Sequence, residues 1–356
     1  MTYPLFSRIL AIISPFTSVL ICLLALITVA VGQDPAPDDV LRTDTSLVQL
    51  NVGVVDPQGR AVTSLARHDF TVYEDGVKQP ILHFEPTQAP FSLVLLLDMS
   101  GSTISFRPQL KQAAFRFLDA LAPNDRVAVV QFNAKIKMLE GFTVKRKDTA
   151  YAIEIADGGG QTNLYEALAY ALKELEKEGK RRKAIVVLTD GLDTKERERD
   201  RALLANARAD AEASAALDAK SSAALNNVLA AADRHGVTIF PLALPSGDPK
   251  RLPSIAKAAG VASPLPPDPI IMGIYSAART RLQNLADRSG GQLNEIHRLD
   301  QMARLYVEVA AHLRSLYTVA YQPVNARAKD GKWHEIRVEV AQPSLTARTR
   351  PGYFAR

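Results

Sequence analysis

The chain of 356 residues holds one cysteine, which excludes a disulfide framework and any cysteine-built zinc centre. Histidine is also sparse. The six histidines, His68, His83, His235, His297, His312 and His334, are scattered with no His-x-x-x-His pair, a spacing that argues against a histidine-built zinc site. No Gly-x-Ser-x-Gly elbow is present, and this removes the usual setting of a serine nucleophile. Neither sign of charge dominates: 43 basic residues against 38 acidic ones leave a net charge of +5. With 23% charged and 47% hydrophobic residues, the composition is that of a folded protein rather than a disordered one. At roughly 100–200 residues per domain, this length predicts two or three domains.

Long apolar runs are confined to the beginning. Met1 to Arg8 carries one positive charge and no acid, and Ile9 to Val31 is uncharged and mostly apolar. The run ends in the small residues Ala30-Val31-Gly32, followed by polar Gln33 and Asp34, the order of a secretory signal. A retained membrane anchor through residues 9–31 stays open, because an apolar stretch of about 20 residues spans a bilayer. Both readings place the rest of the chain outside the cytoplasm: periplasmic, extracellular or anchored on the outer side of the membrane. Cys22 lies inside this segment, so a cleaved product would contain no cysteine.

Residues 33–44 form a Pro/Asp-rich linker. Val48, Leu50, Val52 and Val54 then alternate with polar or small residues, the period of a half-buried strand. Phe70–Tyr73 and Ile81–Phe84 read as further strands, with Glu74-Asp75-Gly76 as a turn. From Ser92 the pattern changes. Leu93–Leu97, Val127–Phe132, Ala184–Leu188 and Val237–Leu242 are continuous apolar runs, as in strands buried on both faces. Helices are predicted between them at Pro108–Leu121, through Leu164–Leu175, at Arg279–Asp287 and at Asp300–Leu316. The fold class expected is α/β, a doubly wound, mostly parallel sheet with helices on both faces.

The last forty residues alternate again, at Tyr317, Val319 and Tyr321 and at Ile336, Val338 and Val340. Residues 34–87 hold 4 basic and 9 acidic residues, whereas residues 316–356 hold 7 basic and 3 acidic. The opposite charges predict that the two flanks pair into one small β-sandwich with the α/β domain between them. The expected division is 1–32 signal or anchor, 33–44 linker, 45–88 N-terminal β segment, 89–316 α/β domain and 317–356 C-terminal β segment.

Three segments carry candidate chemistry. Asp98-Met99-Ser100-Gly101-Ser102 follows the first buried strand, Gly158-Gly159-Gly160-Gln161-Thr162 precedes a helix, and Thr189-Asp190-Gly191 ends another strand. In a parallel sheet, the loops at the carboxyl ends of neighbouring strands share one crevice. Asp98, Ser100, Ser102, Thr162 and Asp190 would therefore meet as an all-oxygen donor set. Such a set suits Mg²⁺, Mn²⁺ or Ca²⁺ and disfavours zinc. A phosphatase reading of Asp98 fails because the second position beyond it is Ser100, not aspartate.

Leu95–Ser102, Thr162–Leu168 and Val186–Gly191 resemble the three segments of a von Willebrand factor type A domain, over about Phe91 to Leu316. The resemblance implies a metal-ion-dependent adhesion site with Asp98, Ser100, Ser102, Thr162 and Asp190 as ligands. It implies a supporting, non-ligand role for Asp193. The flanks are similar to a bacterial group of exported proteins described as von Willebrand factor A-related. The likeness lies in Val54–Gly59, His68–Gly76 and Gln79–Ile81, and in the terminal Gly352-Tyr353.

The expected function is an exported, divalent-cation-dependent protein-binding module and not an enzyme. Its cation would bridge to an acidic side chain of a protein partner. The alternatives are an envelope scaffold without a specific ligand or a metal-assisted hydrolase. The run Lys180-Arg181-Arg182-Lys183 suggests nucleic acid but reads better as a solvated loop, and an exported chain argues against that partner. Two departures from the family pattern border the expected site. One is the Ala- and charge-rich helical insert Thr194–Ser222. The other is the proline-broken loop Pro245–Tyr275, with exposed Ile270, Ile271 and Met272.

Overall fold

A computed structural model describes residues 47–179, 181–206, 217, 222–244, 269–297, 301–324 and 330–355. The signal-like segment, the linker, most of residues 207–221 and the proline-rich loop 245–268 lie outside the described residues. Among the described residues, no helix is long and apolar enough to cross a membrane.

The alternating N-terminal segment forms β1 (Val48–Val55), with Val48, Leu50, Val52 and Val54 buried. Strands β2 (Phe70–Glu74) and β3 (Val77–Gln79) are joined by Asp75-Gly76, both at positive φ (49° and 80°), the geometry of a tight hairpin turn. Strand β4 (Ile81–Glu85) follows.

The apolar run after it becomes β5 (Phe91–Asp98), buried at every position. The chain continues through α1 (Arg107–Ala120), β6 (Arg126–Phe132), β7 (Ile136–Thr143), α2 (Arg146–Ile155), α3 (Leu164–Glu176) and β8 (Arg182–Thr189). Then come α4 (Thr194–Asn206), α5 (Ala223–His235), β9 (Val237–Ala243), α6 (Pro269–Ser289), β10 (Asn294–Glu295) and α7 (Met302–Ser315). The sheet order is β10-β9-β8-β5-β6-β7, parallel except for β7. Successive side chains on β5 serve opposite faces. Leu93, Leu95 and Leu97 pack with Leu110 and Phe117 of α1 and Tyr306 and Leu313 of α7. Val94 and Leu96 pack with Leu164, Leu168 and Leu172 of α3 and Leu282 of α6.

The last strands are β11 (Leu316–Tyr321), β12 (Trp333–Val340), β13 (Thr346–Arg348) and β14 (Gly352–Phe354). They interleave with the first four in two sheets, β13-β1-β11-β4 and β14-β12-β2-β3. Leu50 lies opposite Val319, and Val72 opposite Val338. Leu50, Val52, Val72, Tyr317, Val319, Ile336 and Val338 share one apolar cluster. The charge-opposed flanks thus pair as expected. The α/β segment leaves at Glu85 and returns to Thr318, its direct neighbour across two paired strands. Deleting Leu316–Arg356 is expected to unfold β1–β4, because β1 loses both of its partner strands. Amide hydrogen exchange reads this directly: β1 amides that stay protected in the truncated chain would contradict it.

Several expectations are corrected. Leu316 opens β11 instead of ending a helix, because its backbone pairs with Gly53. Ile270, Ile271 and Met272 lie in the first turn of α6, not in an irregular loop. Pro269 is the first residue of that helix, where a missing N–H costs nothing. Ile270 packs against the buried cluster of Leu192, Ile274 and Ala278, and Ile271 stays exposed. The described part of the predicted insert is α4. The basic run is structural from Arg181 onward. Arg181 donates to the Phe91 and Asn124 carbonyls, Arg182 is fully buried, and Lys183 is buried too.

Candidate metal centre

Strands β5 and β8 are parallel neighbours, with Leu97 opposite Leu188. Their carboxyl ends bring Asp98 and Asp190 to the same sheet edge. The chain leaves β5 toward β6 on one side and reaches β8 on the other, so this edge is where the strand order reverses. Asp98 is fully buried and Asp190 is 1% exposed.

The first loop is held by its own polar atoms. Asp98 Oδ1 accepts from the Ser100 N–H at 3.0 Å, and Thr103 Oγ1 donates to the carbonyls of Asp98 (2.9 Å) and Ser100 (3.0 Å). Ser100 Oγ and Ser102 Oγ lie 3.1 Å apart, Ser100 buried and Ser102 exposed. The second loop is clamped to the first. The Gly101 N–H donates to the Gly160 carbonyl at 3.0 Å, and Arg107 Nη2 donates to the Gly158 carbonyl at 2.8 Å. A Cβ at Gly158 would lie 2.8 Å from the Met99 carbonyl oxygen, so only glycine allows this approach. Thr162 is buried and tied to the start of α4 at both backbone atoms. Its N–H donates to Thr194 Oγ1, and its carbonyl accepts from the Thr194 N–H, each at 2.9 Å. Thr162 does not cap α3; Asn163 occupies that position.

The third loop follows β8. Thr189 Oγ1 donates to Asp98 Oδ2 at 2.8 Å and accepts from the Gly191 N–H at 3.0 Å. Asp190 Oδ1 accepts from the Leu192 N–H at 3.0 Å. Asp193 supports the loop: its Oδ1 accepts from the N–H groups of Lys195 (3.0 Å) and Glu196 (3.2 Å) at the start of α4, its Oδ2 from the Tyr165 N–H at 3.4 Å. Behind it, Arg281 of α6 grips Asp200 of α4 with two bonds of 2.6 and 2.7 Å. The sequence did not single out Thr189, Thr194, Asp200 or Arg281. Thr189 sits inside the quoted strand-end motif, and nothing local distinguishes the other three. The glycine at 191 has φ +87°, and a Cβ there would come within 2.8 Å of Leu282. Gly191→Ala is therefore expected to cost ~1–3 kcal/mol of stability and to displace Asp190. Thermal melting and cation titration of the variant check both effects.

Burial, together with the negative charge of Asp190, pushes Asp98 up to about 7. Two buried carboxylates that repel one another, beside hydroxyl oxygens and without imidazole or thiolate, are a donor set suited to a hard divalent cation. The residues present fit such an ion.

Residues 93–192 match the family described as von Willebrand factor type A domain. The match runs from β5 through β8 to Leu192 and takes in all three loops of the candidate site. Solved structures similar to the chain include an aerotolerance-related membrane protein from Bacteroides fragilis. It has 14% identity, covering 63% of this chain and 98% of that one, with a TM-score of 0.42. A von Willebrand factor type A protein from Catenulispora acidiphila is 12% identical over 88% of this chain and 64% of that one, with a TM-score of 0.43. Proximal thread matrix protein 1 from the mussel byssus, with a zinc-occupied MIDAS motif, is 16% identical over 66% of this chain and 48% of that one, with a TM-score of 0.41. No curated protein matches the chain. Beyond the matched segment, β9, β10, α6 and α7 complete the same sheet and core.

Proposed function

We propose that the chain is an exported, divalent-cation-dependent protein-binding module. Asp98, Ser100, Ser102, Thr162 and Asp190 are its cation ligands. The observation that carries this reading is the buried pair Asp98 and Asp190 at the carboxyl ends of adjacent strands, with the hydroxyls of Ser100 and Ser102 beside them. When bound, Mg²⁺ or Mn²⁺ supplies an electrophilic point that accepts a carboxylate oxygen. The chain's own residues do the rest. Thr189 and the Ser100 N–H hold Asp98 in orientation, and the Gly101–Gly160 bond keeps two loops together. The rim exposes Gly101, Ser102, Gly160 and Gln161, and Ile104 is 55% exposed beside them, so a partner's acidic side chain has access to the cation. This role requires no bond making, and the protein is read as a non-enzyme.

Residues 9–31 export the chain, as a cleaved signal or a retained outer-face anchor; after the linker 33–44 the chain divides at 45–88, 89–316 and 317–356, with Leu316 moved to the last segment as the first residue of β11. The test is titration calorimetry of the protein spanning Gln33–Arg356 with Mg²⁺, Mn²⁺ and Ca²⁺, beside Asp98→Ala. Saturable binding in the wild type that disappears in the variant is expected, followed by cation-dependent capture of an acidic-peptide partner from envelope extracts. A folded wild type that binds none of the three ions overturns the cation-ligand assignment.

A further inference from the structure

A second cluster lies where the two flanks meet, and the α/β domain plays no part in it. Glu74 ends β2, Asp75 begins the hairpin turn, and His334 lies on β12, opposite them across a strand pairing of Ile336 with Glu74. Neighbouring strand residues normally point to opposite faces. The left-handed φ of 49° at Asp75 breaks that alternation. One ligand atom from each of Glu74, Asp75 and His334 falls within 4.8 Å of the other two.

The two nitrogens of His334 face different groups. Nε2 lies 3.2 Å from Asp330 Oδ1, while Nδ1 lies 2.7 Å from Asp75 Oδ2 and 3.6 Å from Glu74 Oε1. In the ion-free protein a proton on Nδ1 makes the 2.7 Å bond to Asp75; the tautomer that keeps its proton on Nε2, toward Asp330, instead turns the Nδ1 lone pair onto two carboxylates. Only a proton or a cation relieves that contact. An imidazole held by a carboxylate through its outer nitrogen is the usual support of a metal-binding histidine. Glu74 is oriented as a ligand would be: it is 7% exposed, and its Oε2 accepts from Tyr321 (2.5 Å) and Tyr353 (3.2 Å), which leaves Oε1 toward His334. Arg350, 5.6 Å from the Tyr353 ring, is committed to Asp233 and does not neutralise the pair. Burial pulls the imidazole of His334 down, but its bonds to Asp75 and Asp330 outweigh this and leave it above its ordinary value.

We infer that Glu74, Asp75 and His334 form a zinc site that cross-links the N-terminal and C-terminal flanks of the chain. One nitrogen and two carboxylate oxygens suit Zn²⁺, with ligand distances of about 2.0–2.2 Å, and leave the fourth tetrahedral position to water. The half-exposed Asp75 carboxylate gives the ion a way in. Because β2 and β12 come from opposite ends of the sequence, the bound ion stabilises the folded state by mass action.

The full chain carrying Asp98→Ala isolates this site from the one at β5 and β8. After chelation and dialysis against Zn²⁺, that protein is expected to retain one equivalent of zinc by elemental analysis and to melt several degrees higher than its chelated form. His334→Gln in the same background is expected to remove the zinc and the shift, and Asp75→Asn, a milder change, to weaken binding at least tenfold. Cobalt substitution should give the intense visible absorption of a tetrahedral site. Loss of all zinc from Asp98→Ala overturns the inference and leaves a plain histidine–carboxylate ion pair. Undiminished zinc in the folded His334→Gln protein overturns it as well. Neither result bears on Mg²⁺ binding by the wild type, so the two sites fail independently.

Discussion

Asp98→Asn is expected to abolish divalent-cation binding and, in metal-free buffer at pH 8, to raise the melting temperature above that of the wild type. The two effects have one cause. Asp98 is fully buried, and burial and the charge of Asp190 lift it from 3.8 to about 7. Its ionised form is therefore penalised in the folded state and not in the unfolded one. For a carboxylate raised in this way, stability grows as pH falls through the folded value and levels off near the unfolded value. At about 1.4 kcal/mol per unit, the wild type at pH 8 forgoes on the order of 2–4 kcal/mol that it recovers by pH 4–5. Asparagine has the same shape and no charge. Its Oδ1 can still accept from the Ser100 N–H, and its amide can donate to the Thr189 hydroxyl in place of the bond Asp98 accepts. The variant should accordingly show a flat melting profile between pH 5 and pH 8. A saturating cation should lift the wild type at pH 8 and leave Asp98→Asn unmoved, with affinity lowered on the order of 100-fold or more. Differential scanning calorimetry at pH 5 and pH 8, with and without Mg²⁺, reads all four conditions. A variant less stable than wild type at pH 8 without cation would contradict the argument.

The central sheet and the meeting of Asp98 and Asp190 at one edge of it were legible for a common reason. A strand buried on both faces must be apolar throughout, so Leu93–Leu97 and Ala184–Leu188 announced themselves. The polar residues that end them, Asp98 and Asp190, therefore stood at a known edge. Strand β7 and helix α2 escaped because neither has that regularity. Strand β7 is an antiparallel edge strand with two register shifts against β6 and no fully buried position. Helix α2 buries only Thr149, Ala152 and Ile153. The start of α6 was hidden by the prolines before it, although Pro269 in a first helical turn is itself a start signal. Tertiary partners were out of reach altogether. Glu74 and His334 are 260 residues apart, and nothing in either segment names the other. The basic run illustrates the same limit. Lys, Arg and neighbouring charges read as solvated, but Arg182 opens β8 and is carried into the interior by the strand it begins.

Arg182→Ala is expected to be the most destabilising single substitution outside the apolar core, at ~3–5 kcal/mol. The guanidinium is fully buried yet faces no carboxylate at hydrogen-bond distance among the described residues. It is solvated instead by backbone carbonyls. Nη1 donates to Thr87 (2.9 Å), Ala89 (3.0 Å) and, more weakly, Pro86 (3.4 Å), and Nη2 donates to Leu313 (3.1 Å) and Leu316. The Phe91 ring closes one side, 4.0 Å from the guanidinium carbon. These carbonyls belong to the two crossings between the flanking strands and the α/β domain: Pro86–Ala89 on the way in, Leu313–Leu316 on the way out. One side chain thus satisfies both connections. Burial brings its pKa down only to about 10, so it stays charged at neutral pH. Alanine takes the donor from the Thr87 and Ala89 carbonyls and leaves those of Pro86 and Leu313 with only the N–H groups of Ala89 and Leu316, so water must enter or the crossings must part. A lysine has three donors on a flexible stem and cannot reach both crossings, so Arg182→Lys should recover less than half of the loss. Melting temperatures are expected to fall on the order of 10 °C for alanine, given ~2–4 °C per kcal/mol in a chain of this size class. Protection of the β4 and β11 amides should fall before that of β5, because the loss acts where the flanks join the domain and not in its sheet. A uniform loss of protection across both regions would mean that Arg182 stabilises the molecule as a whole and not its two crossings.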